Sequence, residues 1–220
     1  KDSQVRRVMS NINERVGSAA KWSIFTEIIV KIISPITNMI LARILVPEEF
    51  GVVATVTMIV SFADIFTDAG FQKYVVQHQF KTKEDEDLSI NVAFWTNITI
   101  SLLLWLFIFF FAEQIATAVG NPGLGRVIYI GAAILPMTSF SSIQAAIFRK
   151  NLNYKELSFI RIIVKFIPLV VTVPLALMKF SYWALIIGNI AGELCNTLLL
   201  TYFSTWKPHL IYRFDKLNEM

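Results

Sequence analysis

The chain has 220 residues, 55% hydrophobic and only 16% charged, with Phe abundant at 18 copies; average soluble domains carry about 25% charged residues. A soluble core could not bury several separate apolar blocks of about 20 residues, and a formal charge of +4 is too small to point to nucleic acid. The single cysteine, Cys195, sits inside an apolar block, so an intrachain disulfide and a cysteine metal site are excluded, and His78 and His209 are too far apart in polar segments to suggest zinc.

The composition and block pattern predict an all-α polytopic membrane protein. Residues 1–21 contain no apolar run of the kind that opens a secretory signal. Val5, Val8, Ile12 and Val16 recur at helical spacing beside Arg6, Arg7 and Arg15, which predicts an amphipathic helix on the membrane surface. Residues 22–203 then form a six-helix transmembrane bundle, and 204–220 a polar tail. The spans are expected at 22–46, 51–70, 88–112, 124–148, 157–178 and 182–203. Each is long enough for a hydrocarbon core of about 30 Å at about 1.5 Å per residue. Pro35, Pro136 and Pro168 fall inside spans one, four and five, where kinks are expected. Glu84-Asp-Glu-Asp87 is expected to be a solvated loop that keeps span three from starting early.

Orientation follows from the basic residues. With a cytoplasmic N-terminus, Lys73, Lys81, Lys83, Arg149, Lys150, Lys155 and the tail residues Lys207, Arg213 and Lys216 join the basic N-terminal segment inside. Lys31 and Lys165 lie within spans, and of the 20 Lys and Arg only Arg43, Arg126 and Lys179 fall outside. This is the positive-inside bias, and it predicts that both ends of the chain are cytoplasmic.

Ionisable groups at membrane depth cost several kcal/mol unless they face protein or water, so they are candidates for function. In span one, Glu27, Lys31, Ser34 and Asn38 share a helical face. Lys31 falls ~14 Å from the start of the span, near the midplane. Span two carries Thr57, Ser61, Asp64 and Asp68, span five Arg161 and Lys165, and span six Asn189, Glu193 and Asn196. These faces are expected to turn toward one another or toward a water-filled cavity. Glu27 and Lys31 could instead neutralise each other as an i,i+4 pair, and Arg161 and Asp68 could snorkel to the interface. Thr138-Ser-Phe-Ser-Ser142 reads as helix–helix glue.

Enzyme chemistry finds little support. Gly120-Asn-Pro-Gly-Leu-Gly125 lacks the Lys-Ser/Thr of a phosphate loop and reads as a turn. Asn97-Ile-Thr99 fits a glycosylation sequon but lies inside a span. No nucleophile with a neighbouring base is available, and no cofactor motif is present.

The segment Leu41-Ala-Arg-Ile-Leu-Val-Pro-Glu-Glu-Phe-Gly-Val-Val-Ala54 resembles the turn between the first two spans of the polysaccharide-transporter, or oligosaccharide flippase, family. That family belongs to the multidrug/oligosaccharidyl-lipid/polysaccharide exporter superfamily. The likeness continues at Phe62-Ala-Asp-Ile-Phe-Thr-Asp-Ala-Gly-Phe71 through Val76-Gln77, at Ala145-Ala-Ile-Phe-Arg-Lys-Asn-Leu-Asn-Tyr154 and at Tyr182-Trp-Ala-Leu185. The lipopolysaccharide-exporter branch is the most similar. These motifs read as architecture. Pro47 and Gly51 make a tight reversal, Arg43 with Glu48 and Glu49 can fix the adjoining helix ends, and Gly70 after Asp68 ends span two.

The resemblance implies two six-helix bundles around a cavity, of which this chain supplies the first, so it is expected to be a piece of a longer protein. It implies alternating access and an isoprenoid-diphosphate-linked oligosaccharide as substrate, moved across the inner membrane for lipopolysaccharide, capsule or exopolysaccharide synthesis. Lys31, Lys165 and Arg161 would attract the diphosphate, while Glu27, Asp64 and Glu193 would balance charge or bind a coupling ion. Glycan polymerase and glycosyltransferases would be partners. A drug/cation antiporter of the same superfamily, or a non-transporting scaffold of a glycan-synthesis complex, are the competing readings.

Overall fold

Apolar length dictates the architecture. Among the described residues, six stretches are long and apolar enough to cross a membrane: Gly17–Leu41, Pro47–Thr67, Lys83–Ala118, Gly125–Lys150, Tyr154–Leu177 and Tyr182–Phe203. A computed structural model describes residues 2–68, 70–209 and 213, and for 2–16 and 68 it describes the backbone alone. The elements are α1 (Asp2–Leu41), α2 (Pro47–Asp68), α3 (Phe71–Gln77), α4 (Lys83–Ala118), α5 (Gly125–Gly131), α6 (Ile134–Lys150), α7 (Tyr154–Leu177) and α8 (Tyr182–Phe203). The all-α polytopic bundle expected from the sequence is what forms. The backbone of α1 is helical without a break from Asp2 onward. The amphipathic side chains proposed for 1–16 lie outside the described residues.

Local chemistry accounts for the departures from the expected spans. The fourth span is divided between α5 and α6 at Ala132 and Ala133. Pro136 has no N–H to give Ala132, four residues back, and its ring crowds that carbonyl. The N–H of Leu135 takes the Ala132 carbonyl instead, at 2.9 Å. Pro35 lies inside α1 and Pro168 and Pro174 inside α7, both of which remain continuous.

The acidic run is not a loop. Thr82 caps α4, its side chain accepting the Asp85 N–H at 3.1 Å, and Glu84, Asp85 and Glu86 form the first turn. Negative charge is favoured there because the N-terminal N–H groups leave that end positive. Helix α4 also runs past the expected end of its span. It bends at Phe111 (φ −106°, ψ 15°) and finishes in a Schellman turn. In that turn Gly120 has φ 79°, its N–H donates to Thr117, and the Asn121 N–H donates to Ala116 at 2.8 Å. The 120–125 segment is a turn, as its glycines suggest. The Glu113 carboxylate holds it by accepting the N–H groups of Gly123 (2.6 Å) and Gly125 (3.2 Å). A further unexpected element, α3, follows Gly70, whose φ of 90° suits glycine.

Consecutive helices do not simply stack in order. Among the described residues α1 packs chiefly on α7, and α7 on α8. Helix α2 packs on α4, α5, α6 and α8. The first two spans therefore belong to different sides of the bundle, with α8 between them. Apolar clusters hold the α2 side: Val56, Ile108, Ile128, Leu135 and Ile186 in one, and Val75, Ile90, Phe94, Ile143 and Ala146 in another. On the α1 side Leu41, Leu45, Ala176 and Ala184 close the end with the short turns, while Leu157, Ile160 and Leu200 join α6, α7 and α8 near the charged end.

The charged end is cross-braced. Lys150 pairs with Glu86 at 2.7 Å and lies 3.8 Å over the Phe80 ring, binding the end of α6 to the start of α4. Beyond α8, residues 204–209 fold back onto α4. The Trp206 ring packs 5.5 Å from Phe94, the Trp95 indole N–H donates to the His209 carbonyl at 2.8 Å, and the His209 N–H donates to Asn91 Oδ1 at 2.7 Å.

Candidate functional site: a charged cavity between α1, α6, α7 and α8

A cavity of about 470 Å³ lies among α1, α6, α7 and α8, with Gln72 of α3 at its edge. Three cations and two carboxylates line it: Arg149, Arg161, Lys165, Glu27 and Glu193. Helical phase explains the convergence. Arg161 and Lys165 are one turn apart on α7, and Glu193 and Asn196 share a face of α8. Their helices are pressed together at Gly188 and Gly192, a small-xxx-small pair on α8. A Cβ at Gly188 would overlap the Thr172 hydroxyl, and one at Gly192 would sit 3.3 Å from the Pro168 ring. Small residues let helix backbones approach in lipid, where packing rather than water expulsion drives association. Pro168 lies just beyond Lys165 and Gly192 just before Glu193, so this close crossing sets the spacing of the two charges.

Hydrogen bonds fix some side chains and leave others open. Glu193 Oε1 accepts from the Ser141 hydroxyl at 2.8 Å and from the Asn196 amide at 3.1 Å. Arg149 donates to Gln72 at 3.0 Å. Glu27 and Arg161 form a loose pair at 3.9 Å, with side-chain exposures of 53% and 41%. The i,i+4 pairing of Glu27 with Lys31 does not form: the partner of Glu27 comes from another helix. A pair this long and this exposed contributes little, on the order of 0–1 kcal/mol. The guanidinium can therefore turn to a better anion. Two parallel bonds to a phosphate would be such a partner.

A second cavity of about 230 Å³ adjoins the first toward the short-turn end of the bundle. Lys165 lines both. Its other polar residues are Ser34, Thr37, Asn38, Thr172 and Asn189. Asn189 also lines a third hollow with Thr57 of α2. The polar faces foreseen on α1, α7 and α8, with Thr57 of α2, thus do meet internal space.

Not every candidate arrives there. Lys31 is exposed and lines none of the described cavities. It stands at the edge of the face bearing Glu27, Ser34 and Asn38, because its phase is turned toward the apolar side of α1. Asp64 is half-buried and accepts the Thr67 hydroxyl at 2.9 Å. The side chain of Asp68 lies outside the described residues. Among the motif residues, Pro47 opens α2, where its missing N–H costs nothing, with Glu48 and Glu49 in the first turn. Arg43 makes no ion pair to them among the described residues. Glu49 instead accepts the Val46 N–H at 3.0 Å, and Arg43 borders an apolar hollow with Ile36, Met39 and Ile40. Gly51 is exposed, with open space around it.

Sequence reasoning missed Arg149, Gln72 and Ser141 as cavity residues. From sequence, Arg149 counts only among the basic residues of the cytoplasmic side. The Ser cluster has both roles: Ser142 accepts from the buried Asn97 at 2.9 Å, while Ser141 holds Glu193. The readable signal was the Gly188-xxx-Gly192 spacing, which marks where α8 meets a neighbour closely.

Comparisons with known proteins give the family. The family model for polysaccharide biosynthesis protein matches residues 40–220. The succinoglycan biosynthesis transport protein ExoT of Rhizobium meliloti (strain 1021) is 27% identical over 196 residues, covering 89% of this chain and 39% of the relative. The lipopolysaccharide biosynthesis protein WzxC of Escherichia coli (strain K12) is 23% identical over 203 residues, covering 92% and 40%. A membrane protein of the cps region of Klebsiella pneumoniae is 21% identical, covering 92% and 41%. The chain thus spans about two-fifths of the length of these curated relatives. No solved structure matches. Six membrane-length helices and a family match over most of the chain lead to one assignment: this multi-pass membrane chain belongs to the polysaccharide biosynthesis protein family.

Proposed function

We propose that the chain is half of a flippase that moves an isoprenoid-diphosphate-linked oligosaccharide across the cell inner membrane by alternating access. The observation that carries this reading is the cavity between membrane-length helices in which Arg149, Arg161 and Lys165 outnumber Glu27 and Glu193. A drug/cation antiporter would want the opposite balance. The names of the relatives, a succinoglycan transport protein and a lipopolysaccharide biosynthesis protein, support the substrate class.

In this reading the charged end of the bundle is cytoplasmic and the diphosphate enters there. Arg161 releases Glu27 to bind it, and Lys165 draws it to mid-membrane, where little water competes. Lys31 stands at the open rim, facing a second bundle that completes the passage. Glu193, tied to Ser141 and Asn196 through one oxygen, keeps the other for a coupling proton or cation, and Asp64 is a second candidate. Glycan polymerase and glycosyltransferases would supply and consume the substrate.

The test is charge reversal in the full-length protein in its producing strain. R161E with K165E should abolish glycan export and leave lipid-linked glycan on the inner leaflet, with membrane insertion unchanged. K31E should give a partial defect. Unchanged export in the double variant removes these cations from the mechanism.

A further inference from the structure

The smaller cavity differs in chemistry from the larger one. Among the described residues Lys165 is the one charged group that lines it, and no carboxylate does. Asn38 and Asn189 are exposed, from α1 and α8, and neither amide has a hydrogen-bond partner among the described residues. Each offers an N–H donor pair and a carbonyl acceptor on one planar group. Such a group matches two neighbouring hydroxyls, one donating and one accepting. Ile33, Leu41 and Leu185 add apolar lining to the same cavity, which suits the C–H face of a sugar ring. Nothing in the lining suits a second charge, and Lys165 disfavours a cation.

Position adds to chemistry. Lys165 lines both cavities, so the two are contiguous at this residue. We propose that the smaller cavity is the subsite for the first sugar of the glycan, a neutral hexose or N-acyl hexosamine held by Asn38 and Asn189, with the adjoining phosphate on Lys165. The proposal rests on the lipid-diphosphate reading above and adds what selects the glycan. Ser34 borders the same space and is the third contact.

The experiment uses the full-length protein in nanodiscs, titrated with an isoprenyl diphosphate bearing no sugar and with the same lipid bearing one hexose. Binding is followed by native mass spectrometry. The unaltered protein should prefer the sugar-bearing lipid. N38L with N189L removes two hydrogen-bonding groups and should weaken that lipid about tenfold while leaving the sugar-free lipid within about twofold. K165Q should weaken both. Retained binding of the sugar-free lipid is the control for folding, and N38S with N189S repeats the comparison with a smaller change. Equal weakening of the two lipids by both double variants, or no weakening, overturns the sugar subsite. Binding of both lipids by the unaltered protein without preference overturns the subsite but spares the diphosphate reading; binding of neither overturns both.

Discussion

The two sides of the bundle are built differently. In the span made by α5 and α6, 56% of the central stretch is buried, against 17% in α1. The α5–α6 span touches α2, α3, α4, α7 and α8, whereas α1 leans chiefly on α7. Both spans are apolar enough for lipid, so hydropathy does not separate them. What differs is the number of neighbours each helix satisfies. The inner span and the first half of α4 packed on it form a scaffold, and α1 forms a wall whose polar face lines cavities and whose other face offers Ile28, Ile32, Ile36 and Met39 to lipid or protein. Under the alternating access proposed above, the scaffold would be the part that stays and the wall the part that moves.

That contrast can be broken from the scaffold side first. Phe94 is fully buried among Trp95, Phe140 and Trp206. F94A should cost about 3 kcal/mol, the low end for such a truncation, because in lipid the cavity term survives while the transfer term shrinks. Thermal unfolding of the purified protein in detergent would register it, and an unchanged Tm would place Phe94 outside the rigid part. The second effect concerns the α7–α8 crossing. G188A forces α8 away from Thr172 and should cost about 1–3 kcal/mol by overpacking. G188A combined with T172A should recover most of that loss, which a double-mutant cycle in Tm would measure. The smallest effect belongs to the cavity wall. E27Q, which removes half of a loose and exposed pair, should change stability by less than about 1 kcal/mol yet alter transport rate. A large fall in Tm for E27Q would mean that the wall is structural after all.

How far the sequence spoke depended on the kind of physics involved. Spans are set by a length threshold, so six apolar blocks became six membrane-length segments, five of them continuous helices with displaced ends and the fourth divided between α5 and α6. Helical phase was equally legible, and it put Glu27, Ser34, Asn38, Lys165, Asn189 and Glu193 against internal space. Phase names a face, however, and not the neighbour across from it. Hence the partner of Glu27 was sought along its own helix and found on α7. Lys31, a fraction of a turn from Asn38 in phase, ends on the rim. The break before α6 could have been traced to Pro136, but the bend at Phe111 carries no proline or glycine to announce it. Gln72 lies on α3, which the sequence reading does not foresee, and Arg149 carries a charge that served there only to fix orientation. The acidic stretch at 84–87 was misjudged because the same charges that solvate a loop also stabilise a helix start.

The strap at 204–209 has a mechanical consequence. At His209 both backbone polar groups are held by α4, the N–H by Asn91 and the carbonyl by Trp95. A tug on the polypeptide beyond His209 is therefore felt by α4 before it reaches α8. The α7–α8 crossing that brings Lys165 and Glu193 to one cavity lies outside this attachment, which ties the end of α8 to the first half of α4.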